Sequence, residues 1–301
     1  MLKLDGISSF VAIAETGSFS AAARRLKVSK SVVSERLAEL EHSLGASLLH
    51  RTTRKSSLTE DGAAFLERAI LIVREVEEAA AEISERRGQL TGPMRLSAPV
   101  TFGRMHLGPA LYPFLARYPG ISLTLELDDR RVDAAAEGFD AVVRHGVLAD
   151  SRLVAWQLAS SQRLLVASPA YLKQYGSPQS LEDLENHRAI YYSNRGLADW
   201  RFPDVRAGSY IRPVAALSVN NGDMMRDAAL AGLGLALLPS FIVFAEIKAG
   251  SLKRVDIGWE PEQESIYVAH PEGRKASAKL RAFVASLREV FGDPPYWQVT
   301  Q

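Results

Sequence analysis

The sequence predicts an α/β protein built as an N-terminal winged helix-turn-helix, a long linker helix and a two-lobed α/β domain. Three observations predict this class. Three short helical apolar stripes fill the first ~45 residues, one unbroken helical stripe follows, and strand-like and helix-like segments then alternate to the end. The 301 residues are enough for two or three domains. We place the parts at 1–60, 61–90 and 91–301, with lobe I at about 91–162 and 268–301 and lobe II at about 163–267.

Composition narrows the class of protein. A hydrophobic content of 47% and a charged content of 24% are ordinary for a soluble globular chain. The absence of cysteine excludes disulfides and thiolate metal sites, and the first residues lack the apolar core of a signal peptide. The most apolar run, 228–239, is too short to cross a bilayer. We therefore expect a cytoplasmic protein without a membrane partner.

The net charge of +1 hides a basic segment near the N-terminus. Residues 18–55 contain eight bases and three acids, a balance of +5, whereas residues 60–87 contain eight acids and four bases, a balance of −4. We call the N-terminal part, residues 1–60, the head. A basic head on a chain whose charges otherwise balance indicates a polyanionic partner at that end.

The head is predicted to contain three helices. The first extends from about Leu4 to Glu15 and stops at Gly17, the second covers about 20–26, and the third runs from Ser29 to near Gly45. The second and third helices are separated by only about three residues, which predicts a helix-turn-helix. The segment 46–62 combines basic and β-branched residues and suits a two-stranded wing.

The third helix begins with an unusual exposed turn. In 27-KVSKSVVSERLAELE-41 the apolar residues follow helical spacing, while the first turn presents short hydroxyls and a lysine to the outside. Two interpretations remain open from the residues alone. Ser29 can be an N-cap with solvated neighbours, or this end of the helix can contact phosphates and base edges.

A long helix from about Thr59 to Arg87 is predicted to follow. It carries apolar residues with alternating spacings of three and four, which predicts a dimer seam, although packing on its own domain is the alternative. The proposed seam consists of Leu66, Ala69, Val73, Val76, Ala80 and Ile83.

Beyond a hinge at 91–94, alternating strands and helices predict a parallel α/β architecture with right-handed crossovers. Predicted strands are 94–100, 121–127, 139–146, 162–168, 214–220, 235–239 and 265–270; predicted helices include 104–118, 223–232, 240–249 and 276–291. No nucleotide-binding, hydrolase or metalloprotease signature is present, and the six histidines are scattered. We therefore predict no enzyme, cofactor or metal site.

The stretch 16–62 closely resembles the head of the LysR-type transcriptional regulators. The matching residues are Phe19, Ser20, Ala22, Ala23 and Leu26; Val28, Ser29, Ser31, Val33 and Ser34; Leu40, Glu41, Leu44 and Gly45; and Arg51, Thr52, Arg54, Leu58, Thr59 and Gly62. Length, linker helix and two-lobed remainder are also similar to that family, so the resemblance covers the whole chain.

The resemblance implies a winged helix-turn-helix whose third helix lies in the major groove of double-stranded DNA. It implies DNA contacts from two groups of residues. The helix would contribute Ser29, Lys30, Ser31, Ser34 and Arg36, and the wing would contribute Arg51, Thr52, Arg54 and Lys55. Glu35 departs from the family, which often has a basic residue at this position. Its carboxylate can accept from cytosine N4 or pair with another protein group, but it repels phosphate.

The resemblance also implies an effector-binding domain folded like periplasmic solute-binding proteins, with a small organic acid between the lobes. Helix N-termini suit a carboxylate there. The candidate contacts are Thr101, Phe102, Arg144, Asn220 and Asn221. The alternatives are that Thr101 is only a cap and that Arg144 pairs with an acid such as Asp140 or Asp150.

The partners implied are DNA, the effector, a second copy in a dimer or tetramer, and RNA polymerase. Two other classes of protein remain to be weighed. A solute-binding protein would share the two-lobed body but is normally exported. A cytosolic enzyme would need a catalytic constellation that the sequence does not offer.

Overall fold

The computed structural model describes two compact units, Met1–Pro93 and Met94–Gln301. The residues described are 1–51, 56–85, 89–146, 153–195, 199–200, 213–259, 263–272 and 276–298. Within these ranges no helix combines the length and the hydropathy needed to cross a membrane.

The first unit is the predicted winged helix-turn-helix followed by a long helix. Its elements are α1 (Leu4–Thr16), α2 (Phe19–Leu26), α3 (Lys30–Leu44), β1 (Leu49–Arg51), β2 (Ser56–Leu58) and α4 (Glu60–Glu85). Local chemistry sets the helix ends. Gly17 and Gly45 end α1 and α3 with φ of 66° and 68°, in the left-handed region that favours glycine. Ser18 caps α2 by accepting from the Ala21 N–H.

The first unit has one apolar core built by all of its helices. Phe10, Val33 and Leu37 are completely buried in one cluster, which also contains the wing residue Leu49 and the α4 residue Ala69. The apolar stripes that predicted the helices therefore face one another, as amphipathic helices in a small bundle do.

The proposed seam on α4 divides into two halves. Leu66, Ala69 and Val73 pack against the core of their own unit, and Ala69 is completely buried there, so Ala69 is not available to a dimer surface. Farther along the helix, Val76 is 46% exposed and Ile83 is 58% exposed. The spacing of apolar residues could not separate the halves, because a helix presents the same periodicity to its own domain as to a partner.

A close approach fixes the junction between the wing and α4. Thr59 Oγ1 accepts from the Gly62 N–H at 2.9 Å and donates to the Ser47 carbonyl at 2.7 Å. A Cβ on Gly62 would lie 2.0 Å from the Leu48 carbonyl oxygen, so only glycine fits this turn.

The second unit is a mixed sheet with helices. Its strands are β3 (Gly92–Ala98), β4 (Ile121–Leu127), β5 (Ala141–Gly146), β6 (Leu153–Ala167), β7 (Arg188–Tyr192), β8 (Val214–Val219), β9 (Leu235–Pro239), β10 (Lys253–Arg254) and β11 (Gln263–Pro271). Its helices are α5 (Val100–Phe102), which continues through a π-helical turn (Gly103–Leu107) into α6 (Gly108–Arg117), then α7 (Pro169–Tyr175), a 3-10 turn (Glu182–Asn186), α8 (Gly222–Leu230), α9 (Ser240–Lys248) and α10 (Ala278–Phe291).

The strand order is β4-β3-β5-β11-β6-β9-β7-β8, with β10 paired to β6. The expectation of a parallel architecture is wrong for part of the sheet. The pairs β3–β5, β7–β8 and β7–β9 are parallel, but β11 runs antiparallel to β5 and β6, and β6 runs antiparallel to β9. Alternation of strands and helices along the chain does not report the direction of strands that cross between two halves of a sheet.

The long strand β6 joins the two halves of this sheet. Residues 153–162 pair with β11, whereas Arg163–Val166 pair with β9. The sequence predicted only its second half, because 153–161 mixes polar residues such as Gln157 and Ser160 with apolar ones. Strand β7 was not predicted, and the helix after β3 begins at Val100 rather than at Arg104.

Candidate nucleic-acid interface and ligand site

The outward face of α3 carries polar side chains. Val33 and Leu37 are buried in the core, whereas Ser31 and Glu35 on the opposite face are exposed. Lys30 is also exposed, at the first position of the helix. A helix-turn-helix inserts such a face into the major groove, with its N-terminal residues nearest the bases.

Ser29 is the N-cap of α3. Its Oγ accepts from the Val32 N–H at 3.3 Å and lies 2.8 Å from Ser31 Oγ. The capping interpretation is therefore confirmed for Ser29. It does not account for Lys30 and Ser31, which remain exposed beside the positive end of the helix dipole.

Ser34 and Arg36 are less accessible than their neighbours. Both are half-buried, and the Arg36 guanidinium pairs with Asp5 of α1 at 2.8 Å. Lys3 pairs with Glu39 at 2.8 Å on the same flank. Arg36 therefore links α3 to α1 instead of extending from the outward face.

The wing candidates fall mostly outside the described residues. Strands β1 and β2 pair antiparallel, with Leu49 opposite Leu58. Thr52, Arg54 and Lys55 lie between them, outside the described residues, as does the side chain of Arg51. Glu41 of α3 accepts from the Leu48 N–H at 2.8 Å, which fixes where the chain leaves the helix to form the wing.

In the second unit the starts of α5 and α8 lie side by side. A Cβ on Gly222 would lie 3.1 Å from Thr101 Oγ1, and the Thr101 hydroxyl is 3.2 Å from Asp223 Oδ2. Asp223 also pairs with Arg104. The structure thus brings Thr101 next to Gly222 and Asp223, which directly follow Asn220 and Asn221 in the chain.

Groups of the protein itself already satisfy much of this region. Asn221 caps α8 by accepting from the Met224 N–H at 3.0 Å. At the start of α5, Asp129 Oδ1 accepts from the Val100 N–H at 3.0 Å. Burial, with Asp128 and Asp223 nearby, raises the pKa of the Asp129 carboxyl. Both helix starts therefore already carry side-chain acceptors.

Phe102 lies in the core and is not a candidate contact. Its ring is 1% exposed and makes edge-to-face contacts with Phe241, Phe291 and Trp297 at centroid distances of 5.3, 5.8 and 6.1 Å. One helical step separates it from Thr101, and that rotation of ~100° turns the ring into the core.

Arg144 lies on the wrong face of the sheet to converge with Thr101. Its Nη2 is 3.4 Å from the Val132 carbonyl, and burial, reinforced by Arg131, lowers the pKa of its guanidinium. Side chains alternate along a strand, so the adjacent His145 points to the opposite face. His145 lies 5.3 Å from the Phe241 ring, on the side where α5 packs.

His145 belongs to a buried polar cluster that sequence analysis missed. Its Nε2 is 3.1 Å from Ser161 Oγ and 3.2 Å from Glu264 Oε2. Glu264 Oε1 in turn pairs with Arg195 Nη2 at 2.8 Å. Burial lowers the pKa of His145 to about 4, against the opposing effect of Glu264, so the imidazole is neutral near pH 7. These four residues come from different strands and a turn, and no spacing in the sequence signals their meeting.

A short path of contacts connects this cluster with α5. Asn194, the neighbour of Arg195, donates to the Asp129 carbonyl at 3.2 Å, and the Asp129 side chain caps α5. The α5 start, the α8 start and the turn containing Asn194 and Arg195 thus form one polar region. Among the described residues no group of histidines and carboxylates has the arrangement of a metal site.

Comparisons with known proteins match both units. Residues 4–63 match the model of the bacterial regulatory helix-turn-helix proteins of the lysR family, and residues 87–292 match that of the LysR substrate binding domain.

Relatives align along nearly the whole chain. The HTH-type transcriptional regulator PtxR of Pseudomonas aeruginosa is 34% identical over 298 residues, covering 98% of this chain and 95% of that protein. The HTH-type transcriptional regulator CrgA of Neisseria meningitidis is 35% identical over 295 residues, covering 95% and 96%.

A solved structure of CrgA, described as a LysR-type transcriptional regulator from Neisseria meningitidis, aligns with a TM-score of 0.60 at 30% identity, covering 94% of this chain and 97% of that one. The helix-turn-helix with its exposed α3 and the mixed two-part sheet agree with these matches. The chain therefore belongs to the LysR family and is a transcriptional regulator with a DNA-binding helix-turn-helix and a substrate-binding domain.

Proposed function

We propose that this regulator binds DNA as a homodimer through α3 and the wing, and that a small organic acid bound by its second unit switches its activity. The observation that supports the DNA contact best is the outward face of α3. Lys30 and Ser31 are exposed there, beside the positive end of the helix dipole, where a lysine and a short hydroxyl can contact phosphates and base edges. The other contacts proposed are Ser29, Ser34, Arg51, Thr52, Arg54 and Lys55. Arg36 is left out because its guanidinium pairs with Asp5 of α1.

Fluorescence anisotropy with labelled upstream DNA tests this contact. Lys30→Ala should weaken binding to every sequence alike and reduce the slope of log affinity against log salt by about 1, as expected for one lost phosphate contact. Lys248→Ala is the matched control, because Lys248 is exposed at the end of α9 in the second unit. Equal affinity and equal salt slope in both variants would count against α3 as the DNA-contacting helix.

The dimer proposal rests on a row of exposed apolar side chains along α4. Ile72, Val76 and Ile83 are 42%, 46% and 58% exposed, and they follow one another at spacings of four and seven residues. This is the spacing of a two-helix seam, displaced from the stripe that packs on the head. Large apolar side chains exposed in a row are typical of a protein interface.

The effector proposal rests on Arg195. Its guanidinium is half-buried, pairs with Glu264, and lies in the polar region that also contains Thr101 and the start of α8. The α5 and α8 starts already hold Asp129 and Asn221, so an acid bound there needs a cation, and Arg195 supplies one. The organic acid would compete with Glu264 for this guanidinium.

Isothermal titration of the full chain with a panel of mono- and dicarboxylates tests the effector site. We expect Arg195→Gln to lose binding of the acid found for the wild type while keeping DNA affinity. Arg144→Gln is the control with the same loss of charge on the opposite face of the sheet. Loss of binding in the Arg144 variant alone would contradict this location.

A further inference from the structure

Helix α3 carries two exposed carboxylates, one turn apart, that differ in their partners. Glu39 is held by Lys3 at 2.8 Å. Glu35, one turn earlier and exposed, has no hydrogen-bond or ion-pair partner among the described residues. The two nearby cations are already engaged, because Arg36 pairs with Asp5 at 2.8 Å and Lys3, whose charge also interacts with Glu35, pairs with Glu39 at 2.8 Å. The protein therefore leaves Glu35 available for an external donor.

Geometry places Glu35 where a base contact would be made. It lies four residues after Ser31 and three before Ala38, so the three share the exposed stripe opposite Val33 and Leu37. Ser31 and Ala38 are short, so they allow this stripe to approach the floor of a groove. A longer carboxylate between two short side chains reaches farthest from the helix.

The chemistry of a carboxylate selects among the four bases. An ionised carboxylate is an acceptor only. In the major groove guanine presents N7 and O6 as acceptors and thymine presents O4, so both repel it. Adenine offers a donor at N6 beside an acceptor at N7. Cytosine offers its N4 amine as a donor without an adjacent acceptor, and it is the base that Glu and Asp contact.

We propose that Glu35 determines sequence specificity by accepting a hydrogen bond from cytosine N4 in each half-site. The cost of bringing a carboxylate near the phosphates is then offset only at sites with cytosine at one fixed position, and Glu35 discriminates against all others. This inference rests on the proposed insertion of α3 into the major groove.

The test is selection of binding sites from a randomised DNA library by the full-length protein. Wild type and Glu35→Ala are compared, and Glu39→Gln is the control. This control also removes one negative charge from α3, but from a carboxylate that lies one turn away from Glu35 and is already paired with Lys3. We expect a cytosine in each half-site for wild type and Glu39→Gln. We expect Glu35→Ala to lose this preference by roughly 5- to 150-fold at that position only.

Two results would overturn the inference. If Glu35→Ala binds all sequences more tightly with unchanged preferences, Glu35 acts only by repelling phosphate. If preference and affinity are both unchanged, Glu35 is not at the DNA. Failure of the proposed α3 placement is distinguished separately, because Lys30→Ala would then leave binding and its salt dependence unaltered. Thermal melts of the variants establish that the fold is retained.

Discussion

His145 should make the stability of the second unit depend on pH. Its imidazole is buried between β5, β6 and β11, where Ser161, Glu264 and the Phe241 ring contact it. Burial lowers its pKa to about 4, Glu264 acts in the opposite direction, and the charges of Arg195 and Arg163 add to the lowering. Protonating His145 in the folded state therefore costs free energy, and unfolding removes that cost.

The sign and size of this pH dependence follow from the linkage between proton binding and folding. An unfolded chain gives histidine a pKa of about 6.5, so below that pH the unfolded state binds the proton more readily than the folded state. The stability contributed by neutral His145 is fully present above about pH 6.5 and is lost as pH falls toward 4. Between pH 7 and pH 5 the loss amounts to about 2 kcal/mol, and it approaches about 3 kcal/mol near pH 4.

Urea denaturation followed by tryptophan fluorescence measures this, since Trp156, Trp200, Trp259 and Trp297 all lie in the second unit. The free energy of unfolding of wild type should fall about 2 kcal/mol more than that of His145→Gln between pH 7 and pH 5. The other buried histidines are common to both proteins, so the difference isolates His145. An identical pH dependence in the two proteins would refute the reasoning.

Three further outcomes are expected. Phe102→Ala should destabilise the second unit by about 3–5 kcal/mol, because it empties an aromatic site in the core. Tyr112→Ala is the control, and it should cost under about 0.5 kcal/mol because that side chain is 68% exposed. Normal stability of Phe102→Ala with a lost effector response would instead show that Phe102 contacts the effector. Val76→Glu combined with Ile83→Glu should yield monomers by light scattering, and an unchanged mass would argue against the α4 interface. Gly62→Ala should lower the melting temperature of the first unit, because the added Cβ clashes with the Leu48 carbonyl oxygen. This clash acts against the gain of about 1 kcal/mol that alanine has over glycine inside a helix, so a higher melting temperature would contradict the clash.

The helix-turn-helix was predictable because its signals are local. Buried Val33 and Leu37 repeat at helical spacing, and Ser29 and Gly45 mark the two ends of α3. A cap and a left-handed glycine act through the adjacent turn, so each can be recognised in a window of a few residues. The long specific run of residues from 16 to 62 then identified the family, which the comparisons confirmed.

The linker helix shows where periodicity stops being sufficient. Its length and apolar stripe were evident, but Leu66 and Val73 cover the head core while Val76 and Ile83 stay exposed. The head core ends partway along α4, and that boundary depends on where α1 lies in space. Spacing along one helix contains no information about how far the neighbouring helix extends.

The arrangement of the proposed ligand region depended on tertiary structure to a still greater degree. The sequence placed Thr101 and the segment near Asn221 close to the starts of helices, and it predicted a strand containing Arg144 and His145. Which of two adjacent strand residues faces α5 was decided by the pairing of β5 with β11, more than a hundred residues away in the chain. Shifting a strand's register by one residue exchanges its faces, so a choice between Arg144 and His145 required the assembled sheet. Glu264 meets His145, and Arg195 meets Glu264, only because the fold brings β5, β11 and the turn after β7 together.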